Sequence, residues 1–303
     1  MLALIDTHHH FYDPQAHYYP WLNDAGFPPH RYGDHAALKR PYLPADYARD
    51  TAGVNLLGSV HVEADWDPKD PVGEMRFIAS LRQQCDLPSV AIGQAWLHQP
   101  DAASTLEQLA AFAFVRGIRQ KPRANAAPGG PPGGMTDAAW LQGYARLQPL
   151  GLHYELQTPF WHLHEAVRVA TDFPDTRIVI NHAGMPSDRS EEGLRAWRTA
   201  LAAVAAQPNV AIKISGIGEA GYRWRPDANR RIVCEVIELF GVDRCMFGSN
   251  YPVDSLCAPF QSIFENFATY VADFSAQERA QLFVENARRI YRIPAQRIEQ
   301  QQG

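Results

Sequence analysis

Short apolar runs alternate with longer amphipathic stretches along the chain. Eight runs predict β-strands, at residues 2–6, 56–63, 89–95, 115–120, 152–157, 177–182, 210–215 and 244–249. Several are apolar at nearly every position, which is typical of parallel strands covered on both faces. Apolar residues recur at helical spacing in segments 44–52, 71–84, 102–112, 136–150, 161–173, 191–206, 227–240 and 259–272. Asp137, Ser190 and Asp227 stand where N-caps belong.

Eight successive strand–helix units predict a closed (β/α)8 barrel, the TIM barrel. Right-handed crossovers place consecutive parallel strands side by side, and the eighth strand can then pair with the first. An open doubly wound sheet is the alternative, but it usually carries a glycine-rich turn where this chain has His8-His9-His10. We therefore predict an α/β fold with one barrel domain over residues 1–295 and a short polar tail over residues 296–303. An extra C-terminal helix is expected over residues 276–290.

Two long loops follow strands of this barrel. Residues 11–43 are rich in Pro, Tyr, His and Asp without periodicity, and residues 126–135 are mostly Pro, Gly and Ala. Both leave the carboxyl ends of strands, where barrel enzymes keep their active sites. For the second loop, a flexible connector and a lid are both open interpretations.

Composition narrows the classes of function and partner. The chain has 303 residues, 46% of them hydrophobic, and a formal net charge of −5 without a long basic block. This charge pattern argues against nucleic acid or an anionic membrane as a partner, and leaves a small-molecule substrate. Without a signal peptide, a membrane-spanning run or paired cysteines, the sequence predicts a cytoplasmic protein. It does not specify whether the chain forms oligomers.

Histidines stand at the ends of two predicted strands. His8 and His10 share one face of the first strand because side chains alternate, and His182 ends the sixth strand. Imidazoles at the mouth of a barrel can reach one metal ion or one substrate oxygen. A histidine cluster without a task is the alternative for the first pair, but its place at the end of the first strand favours an active site.

Six segments carry a resemblance to a known family. They are DTHHHFYDP, VHVEADWDPKDP, RGIRQKP, NHAGMP, VAIKISGIG and MFGSNYPVD, in this order from residue 5 to about residue 291. Together they resemble the amidohydrolase-related lactonases, a family of TIM-barrel hydrolases. Its members include sugar-acid lactonases of the fuconolactonase and rhamnonolactonase types and 2-pyrone-4,6-dicarboxylate lactonase.

The resemblance implies roles for particular residues. His8, His10 and His182 would bind one divalent metal ion, with zinc the first expectation, or would polarise a lactone carbonyl without a metal. Arg119 would face the substrate. The other implied pocket residues are His61, Glu63, Glu155 or Gln157, and Lys213. For each of these, a structural hydrogen bond at a strand end is the alternative.

The end of the eighth strand departs from the family pattern. Most relatives have SDWP there, whereas this chain has Ser249-Asn250-Tyr251-Pro252. Although Asn250 occupies the catalytic position, an amide cannot accept a proton at neutral pH. Asp254 is then the candidate general base by elimination, with a capping or surface role as its alternative. The missing aspartate also argues against a two-metal centre, which leaves one zinc ion or none.

These observations predict a hydrolase that acts on a carboxylic ester bond. The expected substrate is a small lactone of a sugar acid or of aromatic catabolism, opened by water at the barrel mouth. Two alternatives remain open: a metal-dependent non-oxidative decarboxylase on the same barrel, and a ligand-binding barrel with impaired catalysis.

Overall fold

The computed structural model describes residues 1–27, 30–219 and 221–294. Within these ranges all eight predicted strands are present and parallel, and they follow one another in sequence order in a single sheet. Their bounds are β1 Ala3–His9, β2 Asn55–Val62, β3 Val90–Gln94, β4 Val115–Arg119, β5 His153–Leu156, β6 Ile178–Ile180, β7 Val210–Ile214 and β8 Cys245–Phe247. The predicted tail at residues 296–303 lies outside the described residues.

The sheet closes through the segment that follows β8. The backbone N–H of His10 donates to the carbonyl of Tyr251 (2.7 Å), and the N–H of Asn250 donates to the carbonyl of His8 (2.7 Å). These bonds join the end of β1 to the chain beyond β8. The predicted TIM barrel is therefore confirmed, and the open-sheet alternative is excluded.

A buried carboxylate reinforces this closure. Asp6 in β1 accepts the backbone N–H and the hydroxyl of Ser249, at 2.7 and 2.6 Å, and also the hydroxyl of Tyr47 (2.9 Å). Burial raises the pKa of Asp6 to about 6, although these hydrogen bonds oppose the shift. Asp6 therefore fastens the first strand to the residues that carry the β8 side of the mouth.

Helices follow the strands and cover the barrel. They are α2 Pro44–Asp50, α3 Gly73–Cys85, α4 Ala102–Ala110, α5 Ala138–Tyr144, α6 Leu163–Asp172, α7 Glu191–Ala205, α8 Pro226–Phe240 and α9 Phe260–Tyr270, while α1, Pro20–Asn23, lies in the loop after β1. The predicted C-terminal helix forms as α10 (Ala276–Ala280), a π-helical turn (Gln281–Glu285) and α11 (Asn286–Tyr291). Among the described residues, no helix is both long and apolar enough to cross a membrane.

The three predicted N-caps have different outcomes. Ser190 caps α7, since its hydroxyl accepts an amide N–H of the first turn (3.0 Å). Asp137 stands at the N-cap of α5 but makes no capping hydrogen bond. The prediction for Asp227 is wrong, because α8 begins one residue earlier at Pro226 and has Arg225 at its N-cap. Proline suits the first helical position, where its fixed φ fits and its missing N–H costs nothing.

Candidate active site

A cavity of about 380 Å³ opens at the carboxyl ends of the strands. The strand ends contribute several of its lining residues, namely His10, Arg119, Gln157, His182 and Asn250. The loop after β1 supplies a further group, namely Trp21, Phe27, His30, Arg31 and His35. These five residues of the loop after β1 therefore form one wall of the cavity, as the position of that loop in the barrel predicts.

The three predicted imidazoles converge beside this cavity. The ring centroid of His8 lies 5.1 Å from that of His10 and 4.5 Å from that of His182. His10 and His182 line the cavity, whereas His8 is fully buried against both of them. Neither ring nitrogen of His8 has a hydrogen-bond partner within the described ranges. The fold thus brings together residues that are more than half the chain apart.

An unusual turn after β6 places His182. The backbone of His182 has a φ of 54°, and Ala183, Gly184 and Met185 follow with φ of 53°, 68° and 55°. Side-chain-bearing residues rarely adopt this left-handed region, and such conformations concentrate at functional sites. The turn ends β6 abruptly and holds the His182 ring against His8.

Hydrogen bonds constrain which ring nitrogen of His10 and His182 carries the proton and which carries the lone pair. Nδ1 of His10 lies 2.7 Å from the carbonyl oxygen of Val62, which can only accept, so Nδ1 carries the proton and Nε2 the lone pair. Nδ1 of His182 lies 3.1 Å from the hydroxyl of Ser215, which can donate or accept. Burial is the main reason why the pKa of His182 lies well below its usual range and that of His10 falls to about 3. Both rings are therefore neutral near pH 7.

Arg119 stands at the end of β4 in the cavity wall. Its Nε pairs with the carboxylate of Glu63, and Nη2 donates to the backbone carbonyl of Glu63 (2.6 Å). Nη1 donates to Oε1 of Gln157 (2.8 Å) and to Oδ1 of Asn181 (3.4 Å). Since a guanidinium has five N–H groups, one on Nη2 is left for a ligand. Arg119 and Gln157 thus occupy the expected places, whereas Glu63 holds Arg119 in position.

Three predicted pocket residues lie inside the barrel, away from the cavity wall. Nδ1 of His61 accepts the backbone N–H of Phe11 (3.1 Å), and its Nε2 lies 3.2 Å from the carboxylate of Glu74. Nζ of Lys213 lies 2.8 Å from the carboxylate of Glu155, and both side chains are fully buried. Burial lowers the pKa of Lys213 to about 8 despite this pairing. His61, Lys213 and Glu155 are therefore corrected to structural roles.

Asn250 and Asp254 form the β8 side of the site. Asn250 lines the cavity, and its Nδ2 donates to Oδ1 of Asp254 (2.6 Å), which also accepts the hydroxyl of Tyr32 (3.0 Å). Asp254 is buried behind Asn250 and does not line the cavity. Burial raises the pKa of its carboxyl to about 6. Asp254 is therefore not positioned to accept a proton from a molecule in the cavity. Its carboxylate orients the Asn250 amide instead.

Three cavity residues, Arg31, His30 and Lys121, are not among those that the sequence predicts. Arg31 and His30 sit in a loop without periodicity, so nothing in the pattern around them indicated a site. Lys121 also lines the cavity, where its ammonium pairs with Asp65. It lies two residues beyond Arg119, and this alternate spacing was the available signal.

The Pro/Gly loop at residues 126–135 is a tethered connector. The carboxylate of Glu165 in α6 accepts the backbone N–H groups of Gly133 (2.6 Å), Gly134 (3.1 Å) and Met135 (3.1 Å). No residue of this loop lines the cavity. The sequence left a flexible connector and a lid as open interpretations. The structure agrees with a connector, and Glu165 tethers it.

The three histidines do not form a ready-made metal site. In the part of the chain that the structure describes, no three His, Cys, Asp or Glu side chains are placed together as metal ligands. Nδ1 of His10 donates to Val62, which leaves Nε2 as the one ring nitrogen that could be a ligand, and the position that would supply a carboxylate ligand holds Asn250. The metal site expected at His8, His10 and His182 is therefore not supported by this arrangement of rings.

Comparison with known proteins agrees with this fold. The family model described as amidohydrolase matches residues 5–293. An uncharacterized protein of Sinorhizobium fredii, y4mH, is 36% identical over 296 residues, which cover 96% of this chain and 99% of the relative. An L-fucono-1,5-lactonase of Burkholderia multivorans is 30% identical over 306 residues, covering 96% of each chain. A crystal structure of a Burkholderia multivorans amidohydrolase with bound zinc has a TM-score of 0.81 at 26% identity, covering 97% of this chain and 100% of that chain.

These matches include both ends of the barrel, from the histidines of β1 to the segment after β8. They agree with the resemblance that the sequence motifs indicate. The chain belongs to the amidohydrolase family of TIM-barrel hydrolases.

Proposed function

We propose that this hydrolase opens a small lactone by adding water to its carbonyl carbon. The observation that carries the proposal is that neutral His10 and His182 and one free N–H of Arg119 face a single cavity. The site thus combines a lone-pair acceptor with hydrogen-bond donors. Ester hydrolysis needs both, one for the proton of the attacking water and the other for the oxyanion.

His10 would act on the attacking water. Its Nε2 lone pair accepts a proton as the water oxygen bonds to the carbonyl carbon. The tetrahedral intermediate then collapses, the ring C–O bond breaks, and His10 returns the proton to the leaving ring oxygen. The product is a hydroxy acid, which releases a proton as it ionises near pH 7.

The low pKa of His10 is compatible with this role because the negative charge that develops during the reaction raises it. A ring with a pKa of about 3 is a weak base in the free protein. A negative charge developing on the carbonyl oxygen beside it favours the imidazolium and therefore raises that pKa. His10 would thus become protonated only as the oxyanion forms.

The oxyanion would be stabilised by His182 and Arg119. If the Ser215 hydroxyl donates to Nδ1 of His182, then Nε2 of the neutral ring carries the proton and can donate it. The remaining Nη2 N–H of Arg119 is a second donor held by Glu63. Donors fixed in advance need no reorganisation as charge develops, which is why they accelerate such reactions.

The relatives support the choice of lactones over other esters. Two matching Burkholderia proteins, at 30% and 28% identity over nearly the whole chain, are L-fucono-1,5-lactonases. This similarity makes sugar-acid lactones the first class to test, followed by lactones of aromatic catabolism.

A lactone panel with a pH-indicator readout tests the proposal. We expect proton release with at least one lactone, and loss of turnover in His182→Ala while its thermal unfolding stays cooperative. His164→Ala, an exposed histidine of α6, is the matched control and should keep full activity. Carbon dioxide release from aromatic carboxylates would indicate the decarboxylase alternative. Ligand-induced stabilisation without turnover would indicate a binding barrel, and either result would overturn the proposal.

A further inference from the structure

Among the described residues, one cation of the cavity has no carboxylate in direct contact with it. Three cationic side chains line it, namely Arg31, Arg119 and Lys121. Glu63 pairs with Arg119, and Asp65 pairs with Lys121. No ion pair of the described residues includes Arg31, and the histidine rings of the cavity add no compensating negative charge. Arg31 is therefore the cationic side chain of the cavity that has no direct ion pair, and the buried carboxylate of Asp254 acts on it only from a distance.

Tyr32 fixes the Arg31 guanidinium without neutralising it. Nη2 of Arg31 donates to the Tyr32 hydroxyl oxygen (3.2 Å), and the guanidinium lies 4.7 Å from the centre of the Tyr32 ring. The Tyr32 hydroxyl in turn donates to Asp254, which places that carboxylate behind the hydroxyl. The neutral Tyr32 hydroxyl thus separates the Asp254 carboxylate from the Arg31 guanidinium. The other N–H groups of Arg31 remain available to a ligand.

Gly216 brings Arg31 next to the proposed reaction centre. A Cβ on Gly216 would lie 2.5 Å from Nη2 of Arg31 and 2.4 Å from Nδ1 of His182. Both groups therefore lie over the same glycine at the end of β7. A ligand that contacts Arg31 would also lie beside His182.

His30 adds a neutral donor on the same wall. Its Nδ1 accepts the backbone N–H of Tyr32 (3.2 Å), so Nε2 carries the proton of the neutral ring. Burial lowers the pKa of His30 to about 4, which keeps the ring neutral at pH 7. An N–H donor next to an unpaired guanidinium is a suitable environment for an anionic oxygen.

We infer that the substrate carries a carboxylate in addition to its lactone ring, and that Arg31 binds it. This inference rests on the proposed lactonase function and specifies its substrate class: the lactone of a dicarboxylic acid. A fork of N–H groups suits a carboxylate, whereas a neutral lactone would leave the cation unpaired in a partly buried cavity. Arg119, which the family resemblance implies as a substrate-facing residue, is already neutralised by Glu63.

Two unreactive probes test the inference separately from turnover. Tetrahydropyran-2-carboxylate and its carboxamide have similar shapes, differ in charge, and contain no ester bond. Calorimetry at pH 7.5 should show the acid binding about tenfold more tightly than the amide, as expected for a charged hydrogen-bonded pair. Arg31→Gln should remove this preference, and Arg31→Lys should keep part of it.

Lys121→Gln is the matched control, because it removes the same charge from the same cavity at a position that Asp65 already neutralises. It should keep most of the preference for the acid. Equal binding of the two probes, no binding of the acid, or an equal loss in both Gln variants would overturn the assignment of Arg31. If the acid binds through Arg31 while no lactone is turned over, the proposed function fails and the anion site stands.

Discussion

The side-chain amide of Asn250 donates a 2.6 Å hydrogen bond to the carboxylate of Asp254. The segment after β8 therefore has a carboxylate, Asp254, but it lies behind the cavity wall. The Asn250 amide stands between it and the cavity. Because Nδ2 faces the carboxylate, Oδ1 of Asn250 is left to face the cavity, where it can accept a hydrogen bond from water. We therefore expect Asn250 to orient water and another group to accept the proton.

Asn250→Asp should not increase turnover. The new carboxylate would face Asp254 at hydrogen-bond distance, and two carboxylates that close raise the pKa of one of them. We expect the variant to unfold at a lower temperature at pH 8, where both are ionised, than at pH 5, relative to the unchanged protein. A large gain in activity would instead indicate a barrel that had lost its catalytic acid.

Acidification should destabilise the protein. Burial holds the pKa of several histidines below the value of the unfolded chain, so the stability they contribute is present above pH 6.5 and declines as pH falls. For His10 the loss is about 2 kcal/mol between pH 6.5 and pH 5. The other histidines shifted in this direction include His8, His9, His61 and His182.

Asp6 and Asp254 act in the opposite direction. Their folded-state pKa values of about 6 lie above the unfolded value, so their contribution to stability increases as pH falls from 6 to 4. The histidines outnumber them, and thermal unfolding should show a lower midpoint at pH 5 than at pH 7.5. Asp254→Asn should make this decrease larger. A midpoint that rises on acidification would contradict the neutral state of the buried rings.

The Glu165 carboxylate should matter for stability but not for turnover. Glu165→Ala leaves three amide N–H groups of the Pro/Gly loop without their acceptor, and we expect a loss of about 2–4 kcal/mol in unfolding free energy. Glu165→Gln, which keeps one oxygen acceptor, should lose less. Since the loop does not line the cavity, kcat should be unchanged in both variants; a large fall in kcat would show that the loop closes over substrate.

Chelation should leave the activity unchanged. In the described part of the chain, no three His, Cys, Asp or Glu side chains are arranged as a ligand set. Protein purified without added metal should contain much less than one zinc ion per chain, measured by elemental analysis. Loss of turnover after dialysis against a chelator, with recovery on adding zinc, would show that the rings rotate to bind a metal.

The barrel was predictable because its strands are apolar and regularly spaced. Each strand is covered on both faces, so burial leaves a clear signal in the sequence. The histidines of the site were predictable for a related reason: the ends of parallel strands meet at one edge, which brings His8 close to His182. Asp227 shows a limit of this approach, since a neighbouring proline moved the helix start by one residue.

The remaining errors have tertiary causes. His61 and Lys213 stand at strand positions that suit a pocket. Their side chains instead pair with the buried carboxylates of Glu74 and Glu155. No local pattern records which distant carboxylate reaches a buried cation. Arg31 was missed for the opposite reason, because its loop has no periodicity and its place in the cavity depends on the packing around Tyr32.

The kcat of His10→Asn on the best lactone of the panel tests the central claim most directly. Asparagine can keep a donor toward the Val62 carbonyl while removing the Nε2 lone pair. Because general base catalysis typically contributes a factor of about 100 or more, we expect kcat to fall at least that far, with KM nearly unchanged and His164→Ala at full activity. A variant that retains the kcat of the unchanged protein would contradict His10 as the proton acceptor.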